Sequence, residues 1–143
     1  MSEWETVFEA INDEEQLIAP VRAMRSILEA VSLSLDPTDV ELMRFEHLVK
    51  QAKKSQVLQS DQGRISWSNP AGERSESFAL ILECEDLLLH GDSARIKRCP
   101  GDGCHVIFYD GSKNQSKKWC AMAHCGMLTK SKKFYDNHRR VMK

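Results

Sequence analysis

The stretch CPGDGCHVIFYDGSKNQSKKWCAMAHC, residues 99–125, holds four of the five cysteines of this 143-residue chain. The four cysteines form two pairs with the same Cys-x4-Cys spacing, separated by an apolar run, a turn-like segment and a Lys-Lys-Trp sequence. Zinc ions in structural sites are held by four ligands in a tetrahedron, and thiolates are common among them. The pattern therefore predicts one structural Zn²⁺ on Cys99, Cys104, Cys120 and Cys125.

Two histidines leave this ligand set open. His105 and His124 lie beside cysteines, and either could replace one as a ligand; reduced core cysteines and an iron–sulfur site are further interpretations. Four thiolates would leave no coordination position for water or substrate, whereas a catalytic zinc keeps one. The chain also lacks an HExxH motif, a Gly-rich phosphate loop and a G-x-S-x-G motif, so we expect that it is not an enzyme.

The segment between the two cysteine pairs has the pattern of a hairpin. Residues 105–109 are β-prone, residues 110–116 have turn chemistry, and residues 117–120 can return as a second strand. Beyond Gly126, apolar residues recur at helical spacing through Leu128, Phe134, Tyr135 and Val141. We therefore expect a treble-clef-like module, a short hairpin followed by a helix.

The first 94 residues read mainly as helices. Val21, Met24, Ile27 and Leu28 recur at helical spacing after a break at Pro20. The chain is long enough and apolar enough, at 41% hydrophobic residues, to bury a core without help from a metal. The predicted fold is mainly α, with a helical domain at residues 1–94 and a zinc-finger module at residues 95–143.

Three local signals refine this helical half. Asp36 and Pro37 predict the start of a helix, with Asp as the cap and Pro in the first helical position. Ile65 and Trp67 alternate with serines, which indicates a short strand. Residues 78–90 are nearly all apolar and predict a central buried helix that contains Cys84 as a core residue and ends at Gly91.

The net charge of −1 conceals a strong polarity. Residues 1–94 contain 8 Lys+Arg against 18 Asp+Glu, a difference of −10, and residues 95–143 contain 12 against 3, a difference of +9. A basic module indicates an anionic partner such as DNA, although the two halves could instead neutralise each other across an internal interface. The candidate nucleic-acid contacts are Lys113, Lys117, Lys118, Lys130, Lys132, Lys133, Arg139 and Arg140.

The start of the chain, MSEWETVFEAINDEEQ, is acidic and carries no apolar run after a basic segment. We therefore expect no signal peptide and no membrane span, and a cytoplasmic location. Closely paired cysteines in a reducing compartment favour a metal over disulfides.

The run RIKRCPGDGCHVIFYDGSKNQSKKWCAMAHCG resembles the CGNR zinc-finger family. The matching positions are Arg98, Cys99, Cys104, Phe108, Asp110, Ser112, Asn114, Lys118, Trp119, Cys120, Met122, Cys125 and Gly126. The helical remainder, with the segment VRAMRSILEAVSLS, is similar to the ABATE domain that precedes this finger. The resemblance implies a bacterial, stress-related transcription regulator that binds DNA through a finger with zinc on the four cysteines. The resemblance also implies that the helical domain senses a ligand or binds a partner.

One departure from the family stands directly after the last cysteine. Met127 and Leu128 replace the Asn-Arg pair that follows Cys-Gly in the family's name, which removes an arginine able to contact phosphate. The apolar replacement favours an alternative function, a protein-interaction adaptor in which the zinc module is purely structural. A protein partner or a homodimer would then use the helical domain.

Overall fold

The computed structural model describes residues 4–70, 72 and 74–120. Four α-helices and two short two-stranded hairpins make up this part of the chain, with 3-10 turns at Glu14–Gln16 and Ser93–Arg95. In chain order the elements are α1 (Glu5–Asn12), α2 (Ala19–Ser32), α3 (Asp39–Ser55), β1 (Val57–Asp61), β2 (Arg64–Ser68), α4 (Ser75–His90), β3 (Ile96–Arg98) and β4 (Ile107–Tyr109). The prediction of a mainly α fold is confirmed.

The core forms where α1, α2, α3 and α4 meet. The apolar positions predicted for α2 are confirmed, since Val21, Met24, Ile27 and Leu28 are all buried. Pro20 does not stand before this helix as a break. It lies within the first turn of α2, where its missing N–H costs no hydrogen bond.

The start of α3 differs from the prediction. Thr38, and not Asp36, is the N-cap: its hydroxyl accepts from the Glu41 backbone N–H at 3.2 Å, and the Glu41 carboxylate accepts from the Thr38 N–H at 3.0 Å. This reciprocal capping box satisfies two backbone donors at once, whereas a single Asp cap satisfies one. These bonds also hold the pKa of the Glu41 carboxyl below its ordinary value.

The strand predicted at Ile65 and Trp67 is confirmed as β2, and its partner β1 was missed. The two strands pair antiparallel through a two-residue loop in which Gln62 and Gly63 both have positive φ, at 50° and 82°. Such loops match the twist of the strands, and glycine adopts their backbone conformation at no steric cost. Cross-strand pairing places Leu58 opposite Trp67.

The apolar helix predicted at residues 78–90 is confirmed as α4, but it is buried along one stripe only. Ile81, Cys84 and Leu87 are buried, while Leu89 is 67% exposed. Burial raises the pKa of the Cys84 thiol to about 12, as expected of a core cysteine. The helix ends at His90, and Gly91 follows it in an extended conformation; a Cβ at Gly91 would lie 2.6 Å from the Leu87 carbonyl oxygen, so this position favours glycine.

The hairpin predicted between residues 105–109 and 117–120 is wrong in its second strand. β4 pairs antiparallel with β3, with Lys97 opposite Phe108, and residues 117–120 are not a strand. Ile96 and Ile107 are buried in the same core as the helices. The Tyr109 ring contacts Trp4 edge-on at a centroid distance of 5.0 Å, so this hairpin packs directly on α1.

The helix predicted beyond Gly126 lies outside the described residues. The division into domains at residues 1–94 and 95–143 stays a prediction. In the described part of the chain, no helix is both long enough and apolar enough to cross a membrane.

Candidate metal centre

The first cysteine pair lies in the loop that joins β3 to β4. Cys99 follows the last residue of β3, and its N–H donates to the Val106 carbonyl at 2.9 Å. Cys104 donates its N–H to the Gly101 carbonyl at 3.0 Å, and Gly103 has a φ of +73°, where glycine carries no strain. The backbone thus closes a tight turn that brings both thiols to one side.

Cys120 completes a cluster of three sulfurs. The Cys104 and Cys120 Sγ atoms are 3.8 Å apart, and the three Sγ atoms, with that of Cys99, all lie within 4.8 Å of one another. Zinc–sulfur bonds of about 2.3 Å in a tetrahedron require sulfurs separated by about 3.8 Å. The Cys120 N–H also donates to Cys99 Sγ at 3.4 Å, a bond that would stabilise a thiolate there. The three thiols are therefore consistent with a structural zinc.

The other candidate ligands fare differently. Cys125 and His124 lie outside the described residues. His105 is exposed and is absent from the cluster of metal-ligating groups found among the described residues, and its Nδ1 lies 2.9 Å from Arg98 Nη2. Three of the four predicted ligands thus converge in space.

Aromatic side chains pack around the sulfurs. Phe108 is buried against Cys99, and Trp119, Val106 and the other two cysteines pack on this small cluster. Two lysines lie over these rings: Lys117 Nζ is 5.1 Å from the Phe108 centroid and Lys118 Nζ is 5.1 Å from the Trp119 centroid. Trp119 therefore packs in the apolar shell of the metal centre.

Asp110 organises the loop between β4 and Cys120. Its carboxylate is fully buried and accepts from Lys97 Nζ at 2.6 Å, from the Ser112 N–H at 2.9 Å and from the Lys117 N–H at 3.1 Å. Lys97 Nζ also donates to the carbonyls of Gln115 and Lys117, at 2.8 and 2.9 Å. All three N–H donors of the Lys97 ammonium are therefore used within the protein, and their bonds connect β3 to both ends of the loop.

The charge state of Asp110 follows from these bonds. Burial alone would raise the pKa of its carboxyl, but the hydrogen bonds from Lys97 and from Ser112 outweigh burial and hold the pKa well below its usual range. The carboxylate is charged at neutral pH, and its pairing with Lys97 makes the buried ion pair tolerable.

We define the basic loop as residues 111–118. Lys113, Lys117 and Lys118, the three predicted nucleic-acid contacts within the described residues, are exposed on it. Three other basic residues of the module are engaged inside the protein: Lys97 binds Asp110, Arg95 donates to the Asp110 carbonyl, and Arg98 pairs with Glu29. Lys130, Lys132, Lys133, Arg139 and Arg140 lie outside the described residues.

One residue that matters for the module was missed in the sequence. Asn12, at the end of α1, donates to the Ile107 carbonyl at 2.8 Å and accepts from the Ile107 N–H at 3.0 Å. Its side-chain amide therefore acts as a strand partner for β4. No local signal could have revealed this pairing, because the two residues are 95 positions apart.

Comparison with known proteins adds one match. The model of the family described as CGNR zinc finger matches residues 95–138, which include all four predicted zinc ligands. No curated protein matches the chain. The likeness of residues 1–94 to an ABATE domain stays a prediction. The family match and the clustered cysteines together identify a zinc-finger module in the C-terminal third of this chain, similar to the CGNR zinc finger.

Proposed function

We propose that this protein is a transcription regulator that binds DNA through the basic loop of its zinc-finger module. The observation that carries the proposal is the exposure of Lys113, Lys117 and Lys118 on a segment braced by the buried Asp110. A loop whose backbone is already ordered loses less conformational entropy when its lysines contact phosphates. A role in a stress response rests on the family resemblance alone.

The charge distribution supports an anionic partner for this loop. The loop and the residues that follow it belong to residues 95–143, which carry a net charge of +9, whereas residues 1–94 carry −10. DNA would be drawn to one side of the molecule and repelled from the other. The acidic half would also keep non-specific contacts away from the helices.

Salt dependence of DNA binding tests the proposal. The intact chain is titrated with a fluorescent DNA duplex at several salt concentrations. Each phosphate contact contributes about 0.9 to the slope of log affinity against log salt, so the triple variant K113Q/K117Q/K118Q is expected to flatten the slope by up to about 2.7.

A second triple variant controls for net charge. K50Q/K53Q/K54Q removes three lysines from α3, within the acidic half, and is expected to leave the slope unchanged. Equal losses in both triple variants would mean that only total charge matters, and an intact chain that fails to bind duplex at low salt would refute the proposal.

We further propose that the metal has a structural role and that the protein is not an enzyme. Three converging thiols, with Cys125 as the proposed fourth ligand, would fill the coordination sphere of zinc. Substituting any one of the four cysteines by Ser should then weaken zinc binding and unfold the module. A single cysteine whose loss leaves zinc bound and the fold intact would contradict a closed four-cysteine site.

The β1–β2 hairpin favours a second candidate function, a protein-interaction adaptor. Leu58, Ile65 and Trp67 share one face of this hairpin and are 61%, 74% and 62% exposed. An isolated two-stranded hairpin is marginally stable in water, and apolar side chains gain free energy when a partner covers them.

Sedimentation and nuclease-resistant capture distinguish this candidate from DNA binding. A homodimer through the hairpin should dissociate in Trp67→Ser but persist in Leu89→Ser, a matched loss of an exposed apolar residue on α4. A monomeric wild-type chain that captures no protein after nuclease treatment would refute the adaptor function.

A further inference from the structure

Helix α2 contacts the residues that flank the first cysteine pair. Arg98 precedes Cys99 and His105 follows Cys104. Arg25 and Glu29, one helical turn apart on α2, reach these two flanking residues, and we call this pair the α2 clamp. The cysteine loop is thus held from both sides by one helix of the core.

Arg25 makes the stronger half of the α2 clamp. Its Nη2 donates to the His105 carbonyl at 2.7 Å. Its Nη1 donates to the Ile11 carbonyl at 2.7 Å and lies 3.3 Å from Asn12 Oδ1. The planar guanidinium therefore joins the cysteine loop to the end of α1 with bonds that a single-point cation could not make together.

Glu29 makes the weaker half. Its carboxylate lies 3.3 Å from Arg98 Nη1, and both side chains are about one third exposed. Ion pairs at this exposure contribute little to stability. Arg98 Nη2 in turn lies 2.9 Å from His105 Nδ1, so the two residues that flank the cysteine pair also contact each other. The larger effect should therefore come from Arg25.

We propose that the α2 clamp, and Arg25 above all, positions the first cysteine pair for zinc and so couples zinc affinity to the helical core. A loop ordered in advance by the clamp loses less conformational entropy when the metal binds. Residues that orient metal ligands without touching the metal commonly contribute 10- to 100-fold to metal affinity. Coupling is reciprocal, so bound zinc stabilises the contacts of α2 to the same extent.

Zinc affinity of the full chain tests this coupling, by competition with a chromophoric chelator. Arg25→Met, which keeps most of the apolar stem, is expected to weaken zinc binding about 10-fold. Arg22→Met is the matched control, because Arg22 is exposed on the same helix and its side chain makes no hydrogen bond or ion pair in the described part of the chain. It should stay within twofold of the wild type, and Arg25→Lys should recover only part of the affinity.

Two further measurements separate positioning from general destabilisation. Ile81→Val, a core substitution on α4 away from the cysteine loop, should lower stability without changing the zinc affinity of the folded protein. Amide hydrogen exchange of α2 in the wild-type chain should speed up when zinc is removed, a readout that needs no variant to fold.

Equal zinc affinity in Arg25→Met and Arg22→Met would overturn the proposal, as would α2 exchange rates that do not respond to zinc. Neither readout involves DNA, so the outcome is independent of the proposed function.

Discussion

Replacing Asn12 by Ala tests the junction between α1 and the zinc-finger module. The Asn12 amide group satisfies both backbone groups of Ile107, a residue that is fully buried. Alanine would leave the Ile107 N–H and C=O without these partners at a position where water has little access. It would also remove the bond from Asn12 Nδ2 to the Phe8 carbonyl, at 2.8 Å.

The expected loss of stability follows from these bonds. A buried backbone group left unsatisfied costs about 1–3 kcal/mol, so the two groups of Ile107 cost about 2–6 kcal/mol together. Alanine is the better helix former by about 0.6 kcal/mol, which offsets a small part. We therefore expect Asn12→Ala to lower the free energy of unfolding by about 1.4–5.4 kcal/mol.

Urea unfolding at saturating zinc, followed by far-UV circular dichroism, measures this loss. The midpoint should fall while the slope stays unchanged, because the substitution alters stability and not the surface exposed on unfolding. Asn114→Ala is the matched control: Asn114 is exposed on the basic loop, and its loss should cost less than about 0.5 kcal/mol. A loss below 1 kcal/mol for Asn12→Ala would refute the strand-partner role assigned to Asn12.

Two further predictions concern stability. Gly91→Ala should lower the melting temperature because its Cβ would lie 2.6 Å from the Leu87 carbonyl oxygen, whereas Gly111→Ala, with open space around it, should not; equal melting temperatures would contradict this steric reason. Asp110→Asn should be less stable than the wild type at pH 7. The pKa of the Asp110 carboxyl is lower in the folded chain than in the unfolded chain, where it is about 3.9, so the charged carboxylate stabilises the fold at pH values above about 4. Urea midpoints measured from pH 6 to pH 3 should show this difference shrinking as the pH falls below about 4, and a difference independent of pH would argue against a charged Asp110 as its source.

Local patterns predicted the helices and the first part of the metal site. Helical spacing identified α2, and an apolar run ending at glycine identified α4, because both signals lie within one element. The Cys-x4-Cys spacing similarly predicted that Cys99 and Cys104 meet, since a short loop with two glycines can turn back on itself.

Errors arose where two local signals competed. Asp36-Pro37 and Thr38-x-x-Glu41 are both plausible helix starts. The second is used because its side chains and backbone satisfy each other reciprocally. The apolar residues Val40 and Met43 follow helical spacing yet are 57% and 66% exposed, since the neighbouring helices pack on the stripe that contains Phe45.

The sequence by itself determined helices α2 and α4 and the meeting of Cys99 with Cys104, because each of these signals lies within one element or one short loop. Only the tertiary structure decided that β4 pairs with β3 and not with residues 117–120, that Asn12 pairs with β4, and that Arg25 contacts the cysteine loop. The contacts of Asn12 and Arg25 join positions that are 95 and 80 residues apart. Their geometry depends on how whole helices pack, and no sequence window contains it.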